Sequence, residues 1–132
     1  MLKDIGTFIA ANTSLTKGTT LQIYSYLQTA PERAVKIANL SGGKLYQTVR
    51  DRVDYALQVM SRAENPTHAH DDILEMHAFL FESGTSQRSL PIGSPTFRIE
   101  SIQPVGYPQC VGKDEKGRYV YVCNYVLKIW RL

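Results

Sequence analysis

Hydrophobic residues recur along this chain with two periods, and the switches between them mark its elements. Leu2, Ile5, Phe8 and Ile9 fall at helical spacing, so residues 2–12 predict a short amphipathic helix. Asn12 to Thr20, with Gly18, reads as a linker. Leu21-Gln22-Ile23-Tyr24-Ser25-Tyr26-Leu27 alternates and predicts a strand. A turn at Ala30-Pro31-Glu32-Arg33 follows, then a second strand over Ala34–Leu40 and a break at Ser41-Gly42-Gly43.

Residues 44–63 fit two templates. Val49, Val53, Ala56, Leu57 and Met60 make a helical stripe, whereas Val53, Tyr55, Leu57 and Val59 make one face of a strand. Periodicity alone leans to the helix. Asn65-Pro66 is a firm start signal for another helix, an N-cap followed by proline at the first helical position. Asp71 and Asp72 then sit where a helix dipole favours negative charge, and Ile73, Met76, His77 and Leu80 form the buried stripe. Ser83-Gly84 ends that helix, and a polar loop runs to Ser94. Phe97 to Ile102 alternates as a strand that Pro104, Gly106 and Pro108 interrupt. Gly112 to Arg118 reads as a polar turn, and Tyr119 to Ile129 as a long final strand rich in Tyr, Val and Ile. The total is an α+β fold in one domain, residues 1–132, with a mainly antiparallel (mixed) sheet of four to five strands and two helices packed on one face.

Composition narrows the function classes by exclusion. A hydrophobic content of 43% and a charged content of 20% are ordinary for a globular domain. No apolar run approaches the roughly 20 residues that cross a bilayer, and the start of the chain does not read as a signal peptide. Synthesis in the cytoplasm without a membrane partner is the expectation. The net charge of +3 comes from scattered residues rather than a basic face, which argues against nucleic-acid binding. Two cysteines, Cys110 and Cys123, are too few for a disulfide framework and are read as reduced, with Cys123 a packing residue.

Candidate chemistry is thin. His68 and His70 are two residues apart and do not share a helix face. His70 and His77 are two turns apart, about 10 Å, too far for one ion. No serine stands in a G-x-S-x-G turn, and neither cysteine has a histidine beside it in sequence. Gly42-Gly43-Lys44 lacks the upstream glycine and the following Ser or Thr of a phosphate loop. Asp71 and Asp72 point in different directions and are read as serving the helix terminus. No catalytic, cofactor or metal residue is predicted.

The eight tyrosines are the better lead. Tyr119, Tyr121 and Tyr125 share one face of the last strand with Cys123, Leu127 and Ile129, while Val120, Val122, Asn124, Val126 and Trp130 occupy the other. A strand apolar on both sides is central in its sheet or covered by a second surface. Tyr and Trp are also enriched where proteins meet, so Tyr119, Tyr121, Tyr125 and Trp130 are candidate contact residues, with Arg131 beside the tryptophan. Arg50 and Arg52 are further candidates for a contact surface, with plain solvation the competing reading.

One combination of motifs carries a resemblance. A strand ending Ile102-Gln103-Pro104 precedes Gly112, the run Asp114-Glu115-Lys116-Gly117-Arg118-Tyr119, and Asn124-Tyr125. This resembles the C-terminal signature of the tail-terminator and tail-completion proteins of long-tailed bacteriophages, often labelled minor capsid proteins. Val53–Ala63 followed by Asn65-Pro66-Thr67-His68-Ala69 is similar to that family's central strand leading into its second helix. The opening helix, short strand and Ala30-Pro31-Glu32 turn are similar as well. The resemblance implies a strand for Val53–Ala63. It also implies a structural, non-enzymatic virion protein that forms a ring, expected to be a hexamer, at the head-proximal end of the tail. Its implied partners are further copies of itself, the tail tube protein and a head-completion or connector protein, with DNA only as cargo in the lumen. Loops 41–52, 83–95 and 105–118 would make those contacts. The alternatives are a neighbouring head-completion or neck protein, and a small α+β ligand-binding or regulatory domain.

Overall fold

The computed structural model describes residues 2–16, 18–39, 44–45, 52–83, 88–89 and 97–131. Its spine is the pairing of β4 (Arg52–Ala63) with β8 (Tyr119–Arg131), antiparallel through twelve consecutive residue pairs from Arg52↔Trp130 to Ala63↔Tyr119. Alternation decides which way each strand faces. Tyr55, Leu57 and Val59 are buried on β4, and Cys123, Tyr125, Leu127 and Ile129 lie buried beside them on β8. The residues between them, from Asp54 to Met60 and from Val122 to Lys128, are half-buried on the opposite face.

β2 (Ala34–Asn39) pairs antiparallel with β4 on its free side and adds Val35 and Ile37 to the buried face. β1 (Leu21–Ile23) runs parallel to β2. β6 (Phe97–Pro104) and then β7 (Gln109–Lys113) share the far side of β8. β3 (Lys44–Leu45) pairs with β4, and β5 (Arg88–Ser89) pairs with β6. The main order is β1-β2-β4-β8-β6-β5, a mixed and mostly antiparallel α+β sheet.

Both helices cover one face of it. α1 (Leu2–Asn12) lies on β1 and β2, and α2 (Pro66–Ser83) lies across β4, β8 and β6. Leu2, Ile5, Phe8 and Ile9 from α1 meet Ile73, Met76 and Leu80 from α2 in one core. Phe8 and Phe79 join the helices directly, with ring centroids 5.4 Å apart. Helix α2 starts where its sequence signals: Asn65 Oδ1 accepts the Thr67 N–H at 2.9 Å, and Pro66 takes the first helical position.

The structure resolves the ambiguity of Val53–Ala63 in favour of the strand, because ladders on both sides of β4 satisfy its backbone groups along its length. It also corrects several expectations. The strand over 21–27 ends at Ile23: Tyr24 still donates its N–H to the Ile37 carbonyl at 2.9 Å, but its φ of 72° turns the chain off the ladder after it. The loop 105–118 contains β7, so the sheet has more strands than the four to five expected. Asp72 does not serve the helix end. It is buried to 8% exposure and takes a two-point pair from Arg33, Nε at 2.9 Å and Nη2 at 2.8 Å, tying the β1–β2 loop to α2. Gly84 and most of the loop to Ser94 lie outside the described residues.

Leu57→Ala should cost about 2–5 kcal/mol in urea unfolding, as expected for a fully buried core truncation. Gln58→Ala, on the half-buried face, should cost well under half as much.

Candidate assembly surfaces

The arrangement closest to a chemical site lies beneath the end of β6. His77 Nδ1 is 2.9 Å from the Tyr125 hydroxyl and 3.9 Å from Cys123 Sγ, a cysteine–histidine proximity invisible in the sequence. The thiol itself donates to the Gly106 carbonyl at 3.6 Å. Burial pushes the Cys123 thiol up, and burial together with the neighbouring thiol pushes the Tyr125 hydroxyl up, so both stay protonated at neutral pH. A nucleophilic cysteine needs the opposite shift, toward the thiolate. The cluster packs β8 against α2. Among the described residues, no group of His, Cys, Asp and Glu side chains is arranged to hold a metal ion. Concavities at Arg33–Asp72, at Val105–Asn124 and at Pro66–Tyr121 hold about 150, 190 and 240 Å³, all less than a drug-sized ligand needs.

The signature stretch Gly112–Tyr119 is a folding device. Asp114 N–H donates to the Arg118 carbonyl at 2.9 Å, and Gly117 N–H donates to the Asp114 carbonyl at 3.0 Å. Gly117 takes a φ of 76°, the left-handed turn that lets a short hairpin loop match the twist of β7 and β8. The Asp114 carboxylate closes the turn by accepting the Lys116 and Arg118 amides at 2.9 Å each and Arg118 Nε at 2.6 Å. Burial opposes that charge, but the hydrogen bonds from Arg118 and Lys116 outweigh it and hold the carboxyl below its ordinary range. Arg118 Nη1 reaches Glu32 at 3.5 Å, linking the turn to the β1–β2 loop.

That loop is pinned to the sheet face away from the helices. Tyr26 donates its hydroxyl to the Met60 carbonyl at 3.2 Å, and the Arg62 guanidinium stacks 3.8 Å from the Tyr26 ring centre. Arg62 also donates to the Pro31 carbonyl at 3.0 Å. Tyr24, at the loop's start, keeps its left-handed backbone at a cost of about 1–2 kcal/mol for a residue with a Cβ. Its ring is nevertheless 62% exposed, so intrachain packing supplies little to offset that cost.

The predicted contact residues are dispersed. Tyr119 is half-buried under Lys113, whose Nζ sits 4.8 Å from its ring, and Tyr121 meets His70 edge-on at 5.5 Å. Tyr125 is wholly inside the core. Arg50 lies outside the described residues, as do the side chains of Arg52, Trp130 and Arg131, whose backbones belong to β4 and β8. Sequence reasoning missed the residues that stand out. Among the described residues, the exposed large hydrophobics are Tyr24 and Leu27 in the β1–β2 loop, Val105 and Tyr107 between β6 and β7, and Val111 in β7. The only sequence signal for them is apolar residues placed beside turn formers.

Two measurements follow from this geometry. Asp114→Asn keeps the amide acceptors but removes the ion pair with Arg118, so it should lower stability at pH 7 by about 1 kcal/mol, the upper end for a surface pair, because the two side chains are only 26% and 11% exposed. Because the native carboxyl lies below the unfolded value near 4, the wild-type advantage is full above about pH 4 and disappears as pH falls through the native value. Comparing the denaturant midpoints of both proteins from pH 2 to 7 checks this. For the thiols, a maleimide at neutral pH should label exposed Cys110 rapidly and Cys123 only on unfolding, which a mass-spectrometric time course would read.

Comparison with known proteins gives the family of the chain. No curated protein matches the chain in sequence. The family described as bacteriophage tail terminator protein matches residues 8–130, from within α1 to the last residues of β8. That match covers nearly the whole chain, and the protein belongs to the bacteriophage tail terminator family.

Proposed function

We propose that this protein is a structural component of the phage tail that closes into a ring at the head-proximal end of the tail tube. There it stops tube polymerisation and offers the face to which the filled head joins. The observation that carries this reading is the family match across residues 8–130. The described surface supports it: exposed apolar side chains lie on loops and edges, where contacts with other proteins form. The buried, protonated thiol of Cys123 and the small concavities give no support to an enzymatic or ligand-binding role.

A ring follows from ordinary interface physics when each copy presents one surface to its neighbour on one side and a different surface on the other. Six subunits is the number the family resemblance implies. The tube protein on one side and a head-completion or connector protein on the other are the partners of this reading, and DNA passes only through the lumen. Synthesis in the host cytoplasm and residence in the virion tail go with it. No helix among the described residues is long and apolar enough to cross a membrane.

Deleting the gene from its parent phage and viewing the lysate by negative-stain electron microscopy tests the reading. Overlong tails without heads beside separate filled heads are expected. Free tails of normal length would place the protein on the head side of the neck, and intact infectious particles would overturn a structural role.

A further inference from the structure

The register of the sheet sorts its charge to one end. From Tyr55 to Val59 on β4, none of the residues paired across on β2, β8 or β6 is charged. Toward the start of β4 the pattern changes within two rungs. One rung runs Lys44–Asp54–Lys128 across β3, β4 and β8 and ends on Ser101 of β6. The other, two residues further along, runs Arg52–Trp130–Arg98 across β4, β8 and β6. Residues paired across a ladder share a face, and so do positions two apart on one strand. Asp54 and Lys128 lie half-buried on the face away from the helices, so both rungs belong to that face.

At the usual spacings the two lysine positions stand about 10 Å apart, as do the two arginine positions, with about 7 Å between the rungs. Four cation positions thus frame Trp130 and a single carboxylate. The rung between them brings in Arg88 on β5, Arg131 follows Trp130, and Glu100 sits in the bulge of β6 between Ile99 and Ser101. Among the described residues, this end therefore sets six cations against Asp54 and Glu100, an excess larger than the +3 of the whole chain. Positions 44, 52, 98 and 128 are far apart in the sequence, where their charges look scattered. Only the ladders gather them.

We propose that this end of the open sheet face binds DNA through its phosphate backbone, without reading base sequence. Charge complementarity selects the partner. A duplex carries one negative charge per about 1.7 Å of its axis, so cations spread over a patch of this size meet phosphates in any register. A folded acidic protein would instead have to match two rungs that are offset from each other by one strand. This inference rests on the ring reading above, which brings DNA past the protein, and it assigns the surface that meets it.

Fluorescence anisotropy of a short labelled duplex of mixed sequence, titrated with the full-length chain at several salt concentrations, tests it. Four phosphate contacts at about 0.9 each give a slope of log affinity against log salt of about −3.6. Arg52→Gln with Arg98→Gln should make that slope shallower by about two, and Lys44→Gln with Lys128→Gln by as much. Lys113→Gln with Lys116→Gln removes the same charge from the β7–β8 hairpin and should leave the slope unchanged. Circular dichroism checks that each variant is folded, and either pair at the basic end suffices if the other is not. Equal losses from all three pairs would reduce the effect to net charge and overturn the assignment. So would a wild-type chain that fails to bind at low salt. Polyglutamate displacing the duplex at a lower concentration of charge would give the surface to an acidic protein instead. Tail length in the deletion lysate reads the ring separately. A wild-type chain that fails to restore it removes the ring reading whatever the titration gives, whereas restored length without duplex binding removes only the DNA surface.

Discussion

Everything in this fold hangs on the antiparallel ladder between β4 and β8. It joins residues more than fifty positions apart in sequence and places two long strands side by side at the centre of the sheet. A slip of one residue would turn Leu57, Val59, Tyr125 and Leu127 out of the core and bring Gln58, Asn124 and Lys128 into it. The burial of alternate residues on both strands, capped by α2, makes that slip expensive. β2 adds to one side of this pair, β6 and β7 add to the other, and the helices close a single face.

The second constraint is how β8 shares its far edge. β6 pairs with it as far as Tyr125, and β7 takes over at Val122. At the junction, residues 105–108 leave the sheet and carry Val105 and Tyr107 outward. The same junction lets the Gly106 carbonyl receive the Cys123 thiol and sets Tyr107 edge-on to His77 at 5.5 Å. The exposed tip is therefore fastened to the core at its base.

The signature wording that carries the family resemblance turns out to consist of folding instructions. Asp114, Gly117 and Arg118 build the hairpin turn, and Arg118 extends its hold to Glu32 in the β1–β2 loop. Tyr125 is a core ring, and the Asn124 backbone anchors the exit from β6. A motif of this kind identifies a fold without naming a reaction, which accords with a protein whose work is assembly.

Local signals in the sequence were enough for α1, the start of α2 at Asn65-Pro66 and the last strand with its two alternating faces, because each depends on near neighbours. Asp72 was legible as a carboxylate early in a helix, but its partner Arg33 lies 39 residues away and no spacing rule finds it. Residues 52–63 fitted helix and strand alike, and only the ladders on either side decided the matter. The contact surfaces were the least legible part. Tyrosines on a strand look alike in sequence whether buried, as Tyr125 is, or half-covered, as Tyr119 and Tyr121 are. The sequence by itself determined an α+β domain and most of its elements, since these follow from periodicity, caps and turn residues, and it carried the family through the wording of Gly112–Tyr125. Which apolar side chains stayed exposed was decided by the tertiary structure alone, because exposure is what remains after long-range pairing has buried the rest.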